Sequence, residues 1–91
     1  MEFEWDLHKE ITNVSKHGID FTEAATIFGD PLEITISDPA HSMEEFRFLS
    51  IAIASSGRLL VVSYTERSER VRIISARIAS PKERRAYESG K

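Results

Sequence analysis

The stretch LLVVSYTERSERVRIISAR, residues 59–77, decides the predicted fold. It contains two runs that are rich in aliphatic and aromatic residues, Leu59–Thr65 and Arg70–Arg77. The polar segment Glu66-Arg67-Ser68-Glu69 separates them. Two such runs joined by a short polar turn are typical of a β-hairpin. We therefore predict a pair of neighbouring antiparallel strands in this stretch.

Two more strands are predicted upstream of the hairpin. Phe46–Ala54 is another apolar run, and the turn Ser55-Ser56-Gly57-Arg58 joins it to the hairpin. Leu32–Ser37 alternates apolar with polar residues, as half-buried strands do. The polar segment Asp38–Glu45 between these two strands contains Pro39 and predicts a loop. Together the four runs predict a four-stranded antiparallel sheet.

A first helix is predicted close to the start of the chain. Asp6 is a suitable N-cap residue, and Gly18 is a suitable residue to end the helix. Between them, apolar residues recur at helical spacing, namely Leu7, Ile11 and Val14. Ahead of this helix, Phe3-Glu4-Trp5 is either a short edge strand or an apolar anchor.

Two further helices are marked by capping signals. Asp20-Phe21-Thr22-Glu23 is an Asp variant of the capping box, and Gly29-Asp30-Pro31 stops the short helix that follows. Ser80-Pro81-Lys82-Glu83 places a capping box around a proline at the first helical position, and Gly90 ends this last helix. We predict one α+β domain, residues 1–91: two N-terminal helices, a four-stranded antiparallel sheet and one C-terminal helix.

The composition bounds the chemistry. The chain has no cysteine, so neither a disulfide framework nor a thiolate metal site is available. The three histidines show no metal-ligand spacing, and we predict no metal and no cofactor. No apolar run approaches the roughly 18 residues that span a membrane, and the start of the chain lacks the features of a signal peptide. We expect a cytoplasmic protein that does not bind membranes.

Charge is distributed unevenly along the chain, whose net charge is −3. Residues 1–45 carry two basic and eleven acidic residues, which gives 2 − 11 = −9. Residues 46–91 carry ten basic and four acidic residues, which gives 10 − 4 = +6. Either the basic half addresses an anionic partner, or the two halves intermingle in the fold and their charges pair off.

The basic residues between Arg67 and Arg85 form the main candidate site. They are Arg67, Arg70, Arg72, Arg77, Lys82, Arg84 and Arg85. Strict period-two alternation places Arg70 and Arg72 on one face of their strand and Arg77 on the other. A guanidinium stays charged near neutral pH and binds phosphate through two hydrogen bonds, so arginines suit phosphate chemistry. The alternative is a solvated face that pairs with Glu66, Glu69 and Glu83.

Two further residues are candidates for proton transfer. His17 follows Lys16 at the predicted end of a helix, so it either caps the helix or acts as a general base. Glu66 either accepts a proton from a ribose 2′-hydroxyl or forms an ion pair that orders the turn. His8 is predicted to lie on the surface, and nothing near His41 assigns it a role.

Several segments resemble, in order, those of the BrnT family. They are Phe3-Glu4-Trp5-Asp6, Lys16-His17-Gly18 with Phe21, Phe28-Gly29-Asp30-Pro31, Leu60-Val61-Val62, Thr65-Glu66-Arg67, Arg72-Ile73-Ile74-Ser75-Ala76-Arg77 and Glu83-Arg84-Arg85-Ala86-Tyr87-Glu88. This series extends over nearly the whole chain. The chain departs from the family at Leu7-His8-Lys9, where many relatives have a proline and a more basic helix start.

The resemblance implies a toxin of a bacterial type II toxin–antitoxin system with a RelE-like ribonuclease fold. It implies metal-independent RNA cleavage that inhibits translation, on free or ribosome-associated RNA, and neutralisation by a BrnA-type antitoxin. The expected assembly is a homodimer or a toxin–antitoxin heterotetramer. The alternative function is a non-catalytic module that binds an acidic partner through the basic face. DNA binding ranks last because no recognition helix is evident.

Site residues follow from the matching motif positions. The resemblance implies catalytic roles for His17, Glu66, Arg67, Arg70 and Arg77, and RNA contacts for Lys16, Arg72 and Arg84. We expect the helix that carries Lys16 and His17 to cover one edge of the sheet and to bring both residues near the turn at Arg67. Tyr87 either packs on the sheet or stacks on a base.

Overall fold

The computed structural model of the chain describes residues 1–38 and 46–90. Within these residues, five strands form one sheet in the order β1-β5-β4-β3-β2. The strands are β1 (Glu2–Trp5), β2 (Ile34–Ser37), β3 (Phe48–Ile53), β4 (Leu59–Arg67) and β5 (Arg70–Ile78). The helices are α1 (Leu7–His17), α2 (Phe21–Ala25), which continues as a short 3-10 helix (Thr26–Gly29), and α3 (Pro81–Ser89). The predicted loop Asp38–Glu45, with His41, lies outside the described residues except for Asp38.

The sheet confirms the α+β prediction and corrects its details. The four predicted strands are antiparallel neighbours, but β1 adds a fifth strand that lies parallel to β5. Its register pairs Glu2 with Arg70 and Trp5 with Ile73. The edge-strand interpretation of Phe3-Glu4-Trp5 is therefore confirmed, and the purely antiparallel four-stranded sheet is wrong. Parallel neighbours require a long crossover, which here comprises the chain from α1 to β4.

The two faces of the sheet can be followed along β4. Leu60, Val62 and Tyr64 point to one face, where they pack with buried residues of α2 and the 3-10 helix. Leu59 and Val61 point to the opposite face, where Tyr87 of α3 packs against them. We call these the α2 face and the α3 face. The strands are thus buried on both sides only where a helix covers them.

A β-bulge interrupts the pairing of β4 with β5. Ser63 pairs with Ser75, whereas the next residue, Tyr64, pairs with Ile73, so Ile74 has no partner in this ladder. One extra residue reverses the alternation of side chains beyond it. Ala76 is consequently buried on the α2 face, 1% exposed, instead of pointing to the α3 face.

Helix α1 lies along the edge of β5 beyond the end of β1. The Asn13 side chain donates to the carbonyl oxygens of Ala76 and Ile19, both at 2.9 Å, and accepts from the Ala76 amide at 3.0 Å. It therefore binds the strand edge as a neighbouring strand would. Asn13 is the buried residue of α1, whereas the apolar series at helical spacing is exposed, namely Leu7, Ile11 and Val14.

The predicted helix caps are confirmed. The side chains of Asp6, Asp20 and Ser80 each accept a hydrogen bond from a backbone amide three residues later. Gly18 ends α1 in the left-handed conformation with φ of 69°. The reciprocal bond of the capping box at Asp20 was predicted wrongly, because the Glu23 carboxylate instead binds the Arg58 guanidinium.

Two polar contacts attach α3 to the sheet. The Arg77 guanidinium donates to both carboxylate oxygens of Glu83, each at 2.7 Å, and Glu83 also accepts from the Ser80 amide. The Tyr87 hydroxyl donates to Asp30 Oδ2 at 2.6 Å, and this bond chiefly raises the pKa of Tyr87 to about 12. The prediction that Tyr87 packs on the sheet is confirmed. No residue of α3 is fully buried, so these contacts are central to its attachment.

Replacing Asn13 should destabilise the fold. In Asn13→Ala the amide and carbonyl of Ala76 lose their partner at a buried position, so we expect the free energy of unfolding to fall by about 2–4 kcal/mol. Urea denaturation measures this quantity. Thr12→Ala removes a neighbouring side chain of the same helix and is the control, with a change below about 1 kcal/mol. An equally small effect of Asn13→Ala would contradict the role given to this side chain.

The Arg77–Glu83 pair should make stability depend on pH. The hydrogen bond from Arg77 is the main reason why the pKa of Glu83 is lowered from 4.5 to about 2. The stabilisation is therefore present above pH 4.5 and is lost as the pH falls towards 2. We expect the free energy of unfolding of the wild type to exceed that of Glu83→Gln by about 1–2 kcal/mol at neutral pH. This figure allows for the partial exposure of the pair. Unfolding free energies at a series of pH values should show this difference shrinking below pH 5, and a constant difference would refute the assignment.

Candidate functional site

The predicted arginines converge on the α3 face of the sheet. Arg67 pairs with Arg70, and Arg72 pairs with Thr65, in the ladder of β4 and β5. Arg77 pairs with Val61, which also points to the α3 face. The prediction that Arg77 lies opposite Arg70 and Arg72 is therefore wrong, because the bulge at Ile74 reverses the alternation between them.

The part of this face that α3 leaves uncovered is called the arginine face here. It consists of Arg67, Arg70, Arg72, Ser63 and Ser75. Helix α3 packs on the other part of the same face, against the cluster of Ile51, Leu59 and Val61. Successive rows along the strands are about 7 Å apart, since each strand residue rises about 3.4 Å. The two serines form the row next to the one that contains Arg72.

Carboxylates of β1 lie beside these arginines. Arg70 contacts Glu2 at 3.2 Å and Glu4 at 3.5 Å, and Arg72 contacts Glu4 at 3.1 Å. The hydrogen bond from Arg72 is the main reason why the pKa of Glu4 is lowered. Glu4 is therefore a weak base that orients the guanidinium groups. Paired charges were predicted as one alternative, with Glu66, Glu69 and Glu83 as partners. The Glu83 pair forms, with Arg77, whereas Arg70 and Arg72 pair with Glu2 and Glu4.

These ion pairs also decide between the two interpretations of the uneven charge distribution along the chain. The acidic half of the chain supplies Glu2 and Glu4 to the arginines of the basic half, and Glu23 to Arg58. The two halves thus intermingle, as the second interpretation of the charge distribution proposed. Glu2 and Glu4 therefore offset part of the positive charge of Arg70 and Arg72.

Glu66 lies on the opposite face from the arginines. It pairs with Val71, whose side chain is buried on the α2 face. It lines a hollow of about 210 Å³ at the β4–β5 turn, together with Met1, Ser68, Glu69, Arg70 and Val71. The structure therefore does not bring Glu66 beside Arg67, although the two are adjacent in sequence.

His17 and Lys16 line a different hollow, between α1 and β5. Its volume is about 220 Å³, and its lining residues are His8, Lys9, Thr12, Asn13, Lys16, His17, Ile74 and Ser75. The prediction that this helix covers a sheet edge is confirmed. The prediction that α1 brings Lys16 and His17 near the turn at Arg67 is wrong, because β1 already occupies the edge of β5 next to Arg70.

The remaining predicted contacts are on α3 or attach it. Arg77 is engaged by Glu83 as described above, and this ion pair raises the pKa of the Arg77 guanidinium. Arg84 lies on the exposed side of α3, where Glu88 is 3.9 Å away. Neither residue belongs to the uncovered arginine face.

The sequence-based prediction missed Glu2 and Glu4, and it named Lys16 without Lys9. Glu2 and Glu4 alternate with the same period as Arg70 and Arg72, which was a usable signal of a strand pair with matching charges. Lys9 and Lys16 are the two basic residues of positions 1–45, and their spacing places them on one side of a helix.

Residues 1–38 and 46–90 contain neither a metal-binding cluster nor a membrane-spanning helix. No group of three or more His, Asp or Glu side chains there could hold a metal ion. None of the helices in the same residues is long and apolar enough to cross a membrane.

Comparisons with known proteins agree with the motifs. The family model described as "Ribonuclease toxin, BrnT, of type II toxin-antitoxin system" matches residues 5–83. The 1.1 Å crystal structure of the Brucella abortus ribonuclease toxin BrnT is similar, with a TM-score of 0.65 and 25% sequence identity. The similarity covers 88% of this chain and 97% of that one. No curated protein sequence matches the chain. The chain therefore belongs to the BrnT family, the ribonuclease toxins of type II toxin–antitoxin systems.

Proposed function

We propose that this chain is a metal-independent endoribonuclease that inhibits translation by cleaving RNA at the arginine face, and that a BrnA-type antitoxin neutralises it. Membership of a ribonuclease toxin family supports the reaction class. The observation that carries the proposal is the position of Arg67, Arg70 and Arg72 on the same face of the sheet, outside the part on which α3 packs. Three permanently charged groups that can each bind a phosphate oxygen are what phosphoryl chemistry requires.

The chemistry proposed for this face is attack of a ribose 2′-oxygen on the neighbouring phosphorus. The bond from phosphorus to the 2′-oxygen forms, and the bond to the 5′-oxygen breaks. The 2′-hydroxyl loses its proton, and the departing 5′-oxygen gains one. Negative charge develops on the phosphate oxygens during this step, and positioned guanidinium groups stabilise it. Arg67, Arg70 and Arg72 are assigned this role.

The other predicted site residues have different places in the proposal. Glu66 is left out because it points to the α2 face. Arg77 acts indirectly, since its bonds to Glu83 hold α3 at the border of the arginine face. Lys16 and His17 are proposed as contacts to RNA from the edge of the sheet, and Arg84 as a peripheral contact from α3.

The carboxylates of β1 favour a substrate that is presented by a larger partner. Glu2 and Glu4 pair with Arg70 and Arg72 and offset part of their positive charge. Affinity for free RNA depends on how many phosphates cationic groups neutralise, so it should be modest here. We therefore propose ribosome-associated RNA as the substrate.

Removing one arginine should abolish most of the activity. We expect Arg72→Ala to lower the rate of RNA cleavage on the order of 100-fold, because one charge-stabilising donor is lost. Arg72→Lys should retain part of the activity, since it keeps the charge without the two-bond geometry. Arg85→Ala is the control: it also removes one positive charge, but on the exposed side of α3, and it should leave the rate within about twofold of wild type. Cleavage is measured on RNA with and without ribosomes.

Chelation tests the metal-independent character of the reaction. We expect cleavage by the purified protein to continue in EDTA, because the arginines supply the charge stabilisation that a metal ion would otherwise provide. If the folded wild-type protein leaves RNA intact in the presence and in the absence of ribosomes, the proposed function is wrong. Because EDTA also removes the Mg²⁺ that holds ribosomes together, this test uses ribosome-free RNA, and loss of its cleavage in EDTA alone would contradict the metal-independent mechanism.

A further inference from the structure

The hollow between α1 and β5, called the α1 hollow below, has an unusual lining for an acidic protein. Two lysines and two histidines line it, and no carboxylate does among the residues that the structure describes. Lys9 and Lys16 share this side of α1 with Thr12, because residues three, four and seven apart lie on one helix face. All the lysines of positions 1–45 therefore point to a single hollow.

These lysines differ from four of the arginines in their ion pairing. Arg58, Arg70, Arg72 and Arg77 each form an ion pair with a carboxylate. Across the described residues, by contrast, neither Lys9 nor Lys16 has an ion-pair partner. The Asp6 carboxylate accepts the Lys9 backbone amide as the cap of α1. The two ammonium groups are thus available to an anion from outside.

The α1 hollow adjoins the arginine face. Ser75 lines the hollow, and it pairs with Ser63 in the row next to the one that contains Arg72. The row of Ser63 and Ser75 lies about 7 Å along the strands from the row that contains Arg72. A chain of phosphates that binds Arg72 can therefore continue over Ser63 and Ser75 to Lys9 and Lys16. The hydroxyls of Thr12 and Ser75 add hydrogen-bonding groups along this path.

We propose that the α1 hollow binds the backbone phosphate of single-stranded RNA next to the phosphate held on the arginine face. This inference rests on the proposed function, and it assigns His8, Lys9 and Thr12 to a substrate-binding role. An RNA backbone fits better than an acidic peptide, because the hollow is continuous with the face proposed to bind RNA. It contributes to binding the substrate and takes no part in the chemical step.

Binding of an oligonucleotide that cannot be cleaved tests the α1 hollow independently of catalysis. The probe is a fluorescent single-stranded RNA whose 2′-hydroxyls are methylated, and its affinity is measured by anisotropy at several salt concentrations. Lys9→Ala/Lys16→Ala should bind about tenfold more weakly, and the slope of log affinity against log salt should fall by about 0.7, the value for one lost phosphate contact. Lys82→Ala/Arg85→Ala removes the same charge from α3 and should change affinity by less than about twofold.

Kinetics and antitoxin binding separate this proposal from its competitors. The lysine variant should raise KM on RNA with kcat unchanged, whereas Arg72→Ala should lower kcat. Equal losses of affinity in the two double variants, or loss of antitoxin binding with RNA binding unchanged, would overturn the assignment. If wild type binds the probe through Lys9 and Lys16 but cleaves no RNA, the proposed function fails and the binding site stands. Circular dichroism verifies that each variant is folded.

Discussion

The single extra residue in β5, Ile74, is the constraint on which the rest of the arrangement depends. Without this bulge, strict alternation would point Arg77 into the apolar α2 face and Ala76 out of it, and burying a guanidinium there would be strongly unfavourable. With it, Ala76 enters the core and Arg77 returns to the α3 face. The same residue lines the α1 hollow, so one irregularity shapes both sides of the candidate site.

Strand β1 connects the fold to the electrostatics of the site. Its apolar residues, Phe3 and Trp5, pack against the core on the α2 face, and its carboxylates lie on the α3 face beside Arg70 and Arg72. These carboxylates hold the guanidinium groups of Arg70 and Arg72 in defined orientations. The acidic half of the chain thus contributes Glu2 and Glu4 to the arginine face.

Local signals in the sequence predicted much of this fold. Asp6, Asp20 and Ser80 cap helices because a short polar side chain before a helical segment satisfies free amides, which requires only neighbouring residues. The parallel pairing of β1 with β5 joins opposite ends of the chain and has no local signature. The bulge has none either, since Ile74 is an ordinary strand residue with no glycine beside it. As a result, the arginines were identified as a group, but the side of the sheet on which Arg77 lies was not.

Chemical-shift mapping with an uncleavable single-stranded RNA is the most direct test of where this protein binds its substrate. The account predicts shifts in the side-chain Nε–H signals of Arg67, Arg70 and Arg72 and in the amide of Ser75. Signals of α2, such as the amide of Ala24, should remain unchanged. Shifts confined to α2 and the α2 face of the sheet, with the arginine signals unmoved, would contradict it.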